Sequence, residues 1–250
     1  GYEVIYIGKK GHPEPEGAIG IAPGKVHLIE REEDIAALRI PGDKVIIQTP
    51  VYYPFFDVIR MNGRTIVENP LVLREGRYEM DFARLERQAA EGAKMIILCS
   101  PHNPGGRVWS REELKKLGDI CVRHGVTIVA DEIHHDLVLP GHKHIPLASI
   151  DDRLAENTIT CVAPTKTFNL AGLMAAATII PGERLRRRFE HAVKTFSLHM
   201  ESYFGVAAVI ASYTHGDEWL DQLLQYLQGN LDYLTEFMRN RLPEIRVMKP

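Results

Sequence analysis

From Lys44 onward, short apolar runs alternate along this 250-residue chain with longer amphipathic ones. Lys44-Val45-Ile46-Ile47-Gln48, Lys94-Met95-Ile96-Ile97-Leu98, Val126-Thr127-Ile128-Val129-Ala130, Thr158-Ile159-Thr160-Cys161-Val162 and Ala176-Ala177-Thr178-Ile179-Ile180 are short and rich in β-branched residues. Runs of that length without a polar face suit strands buried on both sides, as in a parallel-rich sheet. The stretches between them read as helices. Residues 81–91 place Phe82, Leu85 and Ala89 on one face. Ser110-Arg111-Glu112-Glu113 has the pattern of a capping box, in which the Ser110 hydroxyl accepts from the Glu113 amide and Glu113 answers to the Ser110 amide. Leu114, Leu117, Ile120 and Cys121 follow at helical spacing, and Gly125 ends the helix. Strands alternating with helices predict a three-layer α/β domain with a mostly parallel sheet, and a ligand beyond the carboxyl ends of its strands.

Past Pro181 the pattern becomes helical throughout. Residues 183–195 are strongly basic, 202–213 are small and apolar, and 217–241 carry Leu220, Leu223, Leu224, Leu227, Leu231 and Leu234 along one long amphipathic stretch. That last segment reads as a helix leaving the α/β core. The run Arg184, Arg186, Arg187, Arg188 has a functional reading as an anion patch, but blocks of this kind are usually a solvated helix face, and it reads as one. Before Pro41 the pattern is weak: residues 8–17 look like a loop, and Glu30 to Asp34 form a charge run. The chain opens on Gly1, and Glu244-Ile245-Arg246-Val247 reads like the start of a strand just before Pro250, so a piece of a longer protein is expected.

Composition narrows the classes. At 45% hydrophobic and 25% charged the chain is globular, and 30 Lys and Arg against 33 Asp and Glu leave a formal charge of −3. That balance gives no footprint for nucleic acid. Cys99, Cys121 and Cys161 are far apart, which argues against a disulfide framework or zinc ribbon and for a reducing, cytoplasmic setting. No apolar run approaches a bilayer span and no signal pattern opens the chain, so neither membrane insertion nor export is expected.

Four segments put polar residues where the strands should end. Thr49-Pro50-Val51-Tyr52-Tyr53-Pro54-Phe55-Phe56 is an aromatic turn, whose rings serve either core packing or stacking on a flat ligand. In Ser100-Pro101-His102-Asn103-Pro104-Gly105-Gly106 the prolines and glycines fix a turn, and Asn103 either holds it through an Asx bond or faces a ligand. Ala130-Asp131-Glu132-Ile133-His134-His135-Asp136 ends an apolar strand on a carboxylate, which needs a cationic partner there. Ala163-Pro164-Thr165-Lys166-Thr167-Phe168-Asn169-Leu170-Ala171-Gly172 ends a strand on a lysine, a candidate Schiff-base former. His134-His135-Asp136, with His142 and His144 nearby, raises the question of a metal, but the spacing matches no metal-ligand pattern and no metal is expected.

Together and in this order, the four segments resemble the fold-type I pyridoxal-phosphate enzymes of the class I/II aminotransferase superfamily, most closely its cystathionine β-lyase-like C–S lyases. The resemblance runs from about Pro41 to Pro250. It implies that Lys166 carries the cofactor and then removes the substrate Cα proton, and that Asp131 faces the pyridine nitrogen and keeps it protonated. It further implies that Asn103 donates to the phenolic oxygen with His134 near it, that Tyr52 stacks on the ring, and that the Thr165 hydroxyl reaches the phosphate. A homodimer acting on a small amino-acid substrate is implied as well.

Many aminotransferases of the superfamily have tyrosine where this chain has His134, and a phosphate-binding arginine where it has Met174; both departures resemble the lyase branch. The phosphate cradle expected near Ile21-Ala22-Pro23-Gly24 fits poorly, and no phosphate ligand is assigned there. The expected organisation is a divergent segment at 1–40, a pyridoxal-phosphate-binding large domain at 41–215, and an interdomain helix opening a small domain at 216–250. The expected activity is a C–S β-lyase releasing thiol, pyruvate and ammonia, with an aminotransferase and a non-catalytic cofactor- or partner-binding module as alternatives.

Overall fold

The computed structural model describes residues 42–195 and 202–248. The divergent segment at 1–40, with its loop, its charge run and the expected phosphate cradle, lies outside the described residues. The elements run β1 (Lys44–Ile47), α1 (Pro54–Met61), β2 (Thr65–Glu68), β3 (Val72–Arg74), β4 (Arg77–Glu79), α2 (Phe82–Ala90), β5 (Met95–Cys99), α3 (Arg111–Arg123) and β6 (Thr127–Asp131). After a single 3-10 turn at Leu147–Ser149 come α4 (Asp152–Glu156), β7 (Thr158–Val162), α5 (Pro164–Thr167), β8 (Ala177–Ile179), α6 (Glu183–Thr195), α7 (Tyr203–His215) and α8 (Asp217–Arg241).

Among the described residues, six strands form one sheet in the order β2-β1-β5-β6-β7-β8. All neighbours are parallel except β8, which runs antiparallel to β7. Successive residues of one strand pack into opposite clusters, the signature of a sheet covered on both faces. Ile46, Ile96, Leu98, Ile128 and Ala130 join Leu85, Ala89, Leu114, Leu117, Ile120 and Cys121 from α2 and α3. Val45, Ile47, Ile97 and Cys99 point the other way, against Val51, Phe55 and Ile59 of the turn and helix after β1. Each fully buried leucine of α3 contributes about 1.5–3 kcal/mol.

The predicted capping box is present: Ser110 Oγ accepts from the Glu113 N–H at 3.2 Å, and Glu113 Oε2 accepts from the Ser110 N–H at 2.8 Å. Within α3, Gly118 is required by a close approach, because a Cβ there would lie 2.5 Å from Leu154 Cδ2 of α4. The strand rhythm did not reveal α1, which Pro54 opens inside the aromatic turn, nor edge strand β2, nor the short β3-β4 hairpin.

The three carboxyl-terminal helices lie where the pattern places them. α8 is 25 residues long and buries none of its side chains. The arginine run is only partly a solvated face: Arg184 and Arg187 are exposed, whereas Arg186 is half-buried and donates to the carbonyls of Ile180 and Pro181 at 3.1 and 2.8 Å. Glu244 to Val247 form no strand. Residues 243–245 are a turn in which the Ile245 N–H donates to the Leu242 carbonyl, and no strand among the described residues pairs with them. Among the described residues, no helix is long and apolar enough to cross a membrane.

Candidate active site

The four chemistry-bearing segments leave the sheet at the same edge. β1, β5, β6 and β7 are consecutive neighbours, and the register sets Cys99 beside Asp131 and Asp131 beside Cys161. Tyr52, Asn103, Asp131, His134, Thr165 and Lys166 therefore all sit at or just beyond the carboxyl ends of adjacent parallel strands.

After β1, the Phe55 N–H closes a turn on the Tyr52 carbonyl at 3.2 Å. Phe55 and Phe56 turn into the smaller core cluster. Tyr52 rests edge-on against Phe55, with ring centroids 5.9 Å apart, and remains 41% exposed. Its ring is steadied on one side and open on another, the arrangement a stacking platform needs.

After β5, the turn is held from inside by His102, which is buried. Its Nδ1 accepts from the Gly105 N–H at 3.2 Å, so the ring proton sits on Nε2 and donates to the Gln48 carbonyl at 3.3 Å. Sequence reasoning assigned His102 no role. The Asx alternative for Asn103 is not what the structure shows: its backbone N–H donates to Cys99 Sγ at 3.2 Å, and its side chain makes no hydrogen bond among the described residues. The amide is thus free to meet a ligand. Behind the turn, buried Arg107 forms a two-pronged pair with Glu113 at 2.8 and 2.9 Å and lies 4.7 Å over the Trp109 ring, whose Nε1 donates to the Cys99 carbonyl at 3.0 Å.

After β6, Asp131 accepts one hydrogen bond among the described residues, from the Ile133 N–H at 3.3 Å. Burial pushes its carboxyl above the usual range, while that hydrogen bond and the charges of His134 and Lys166 pull it back. His134 is half-buried, and burial lowers it below the ordinary imidazole value against the opposing pull of Asp131 and of the Pro101 carbonyl. Asp131, His134 and Lys166 are therefore within electrostatic reach of one another. Lys166 lies exposed on the single turn of α5, and Thr165 beside it is buried. Met174 is 86% exposed. A cavity of about 410 Å³ opens between the two loops, lined by Pro101, His102, Asn103, His134, Leu137 and His142 among others.

The remaining histidines of the third segment have other partners. His144 Nε2 lies 2.8 Å from Glu132 Oε2, whose second oxygen accepts the Leu147 N–H at 3.0 Å. His135 Nε2 lies 3.2 Å from Asp136 Oδ1. Among the described residues, no group of three or more His, Cys, Asp or Glu side chains is arranged to hold a metal.

The fold and these strand-end residues define a class, and the sequence agrees: residues 15–250 match the family of class I and II aminotransferases, and the chain belongs to that family. It is 44% identical to cystathionine β-lyase PatB of Bacillus subtilis over 244 residues, 97% of this chain and 62% of PatB. A pyridoxal-phosphate-bound putative aminotransferase from Clostridium difficile superposes with a TM-score of 0.83 at 44% identity, over 87% of this chain and 56% of that one. Cystalysin from Treponema denticola, whose structure contains pyridoxal 5'-phosphate, gives 0.81 at 39% identity over 84% and 54%. The chain thus spans between about half and three fifths of the length of these relatives.

Proposed function

We propose that this chain supplies the cofactor-binding part of a pyridoxal-phosphate-dependent C–S β-lyase acting on cystathionine or cysteine-conjugate-like amino acids. The observation that carries the reading is the convergence of Asp131, His134 and Lys166 at one strand edge, flanked by Asn103 and Tyr52. The residues fit the cofactor: a carboxyl lifted by burial, with a single backbone donor, suits a cationic ring N–H, and an exposed lysine amine suits an aldehyde.

When bound, pyridoxal phosphate offers its aldehyde to amines and a protonated ring that draws electrons from the substrate α-carbon. Lys166 would hold the cofactor at rest, and in the substrate complex its Nζ would take the Cα proton. The overall reaction would balance as thioether amino acid plus water giving thiol, pyruvate and ammonia, with the Cβ–S bond broken and the Cα proton taken by Lys166. Asp131 would pair the ring nitrogen with a negative charge. Asn103 would donate to the phenolic oxygen with His134 beside it, Tyr52 would cover one face of the ring, and the Thr165 hydroxyl would bind phosphate.

The same reading makes residues 41–215 the large domain and 216–250 the connecting helix and opening of a small one, supported by the absence of buried side chains on α8. It also makes the enzyme a homodimer of the cytoplasm. Three free cysteines fit that compartment; burial pushes Cys99 and Cys121 up to about 12 and Cys161 up to about 11, leaving them as inert thiols.

Family membership also favours a second reading, an aminotransferase, which shares the proton removal at Cα and then returns a proton to the cofactor instead of losing the thiolate. Purified protein supplied with cystathionine separates them. Equimolar pyruvate and thiol without added keto acid are expected; product that appears only with an acceptor keto acid overturns the lyase reading.

A further inference from the structure

The turn that carries Lys166 is anchored by one carboxylate. Thr167, the next residue, is fully buried and its Oγ1 donates to Asp136 Oδ2 at 2.9 Å. The Tyr213 hydroxyl of α7 donates to the same oxygen at 3.3 Å, and His135 Nε2 lies 3.2 Å from the other. Burial and the facing Asp136 push the Tyr213 hydroxyl well above its ordinary value, so it stays a donor. On the far side of the turn the Phe168 ring meets Tyr213 edge-on at 5.6 Å and Trp219 at 5.7 Å. The fit is close, since a Cβ on Gly216 would lie 2.3 Å from Phe168 Cε1.

From this junction we propose that Asp136 is a positioning residue, which fixes the Lys166 turn to the His134-bearing loop directly after Asp131 and ties both to α7. The claim rests on the lyase reading for its catalytic consequence, but the anchor itself does not. α5 is a single turn, too short to hold its own shape, so its orientation is set by what it is tied to. Lys166 must serve both as cofactor anchor and as base, and a misplacement of about 1 Å in such a group costs on the order of 100-fold in rate. Asp136 lies with His134 in the loop that follows β6, the strand that ends on Asp131. One side chain therefore links the turn that carries the base to the loop that follows the carboxylate.

The test uses the full chain with Asp136→Ala, Thr167→Val and the conservative Thr167→Ser. Amide hydrogen exchange without cofactor reads the anchor: residues 165–170 are expected to exchange at least about tenfold faster in the first two variants, with β5 and β6 unchanged and Thr167→Ser like wild type. Unaltered exchange in Thr167→Val, whose fold loses only a hydroxyl, overturns the proposal. In the cofactor-loaded protein, kcat is expected to fall about 10- to 100-fold with KM within about threefold, to be restored in Thr167→Ser, and to fall no further in the double variant. Wild-type kcat in Thr167→Val also overturns it. A wild-type protein that takes up no cofactor defeats the lyase reading alone, and the exchange measurement still decides the anchor.

Discussion

The His102 ring reaches the backbone carbonyl of Gln48 through Nε2 at 3.3 Å, so the turn bearing Asn103 is pinned to the strand end that leads to Tyr52. The pin works with a neutral ring only, because Nδ1 must accept from the Gly105 N–H. Burial, aided by the Arg107 charge, lowers His102 from 6.5 to about 4.

A histidine lowered in the folded state stabilises the fold fully above its unfolded value and loses that contribution as pH falls through the folded one. Urea denaturation at pH 7 and pH 4 should therefore show a loss of up to about 3 kcal/mol that is absent in His102→Gln. An equal pH dependence in the variant contradicts the pin.

Asp131 has the opposite linkage. Its carboxyl is raised, so its own contribution to the stability of the cofactor-free fold is fully present below the ordinary carboxylate range and is lost as pH rises through the shifted value. Asp131→Asn should raise the melting temperature of the cofactor-free protein at pH 7. The same change should lower kcat/KM on the order of 100-fold or more, since no negative charge then faces the ring nitrogen. Thermal scans and steady-state assays on the pair check both halves.

Arg107 and Glu113 form a buried pair behind the Asn103 turn, with side chains 3% and 21% exposed. Arg107→Ala removes the pair and the stacking on Trp109, and should cost about 3–5 kcal/mol in chemical denaturation. Glu113→Gln, which keeps an acceptor for both the arginine and the Ser110 amide, should cost clearly less.

Tyr52 offers a ring face, and its hydroxyl makes no hydrogen bond among the described residues. Tyr52→Phe should hold pyridoxal phosphate within a fewfold of wild type, while Tyr52→Ala should weaken it about three- to tenfold. Equilibrium titration of the visible absorbance measures both.

The central strands and long helices were legible because each buries residues at its own period: Ile46 and Ile47 point into opposite clusters, and Leu114, Leu117 and Cys121 line one face of α3. β2 was not, since Thr65-Ile66-Val67-Glu68 pairs on one side only and has just two apolar residues to mark it. Pro54 was read as turn punctuation although it stands at the first position of α1. Glu244 to Val247 carry strand-forming side chains, but a strand is defined by pairing and none is made among the described residues. In the candidate site the residue types at the strand ends were readable one by one. The roles of His102 and Asp136 were not, because each depends on partners far away in sequence, Gln48 and Tyr213, that no spacing rule connects.

Borohydride reduction of the cofactor-loaded protein, followed by peptide mapping, tests the central claim most directly. The account predicts a phosphopyridoxyl group on Lys166 and none in Lys166→Ala; a label on another lysine, or no label on the wild-type chain, contradicts it.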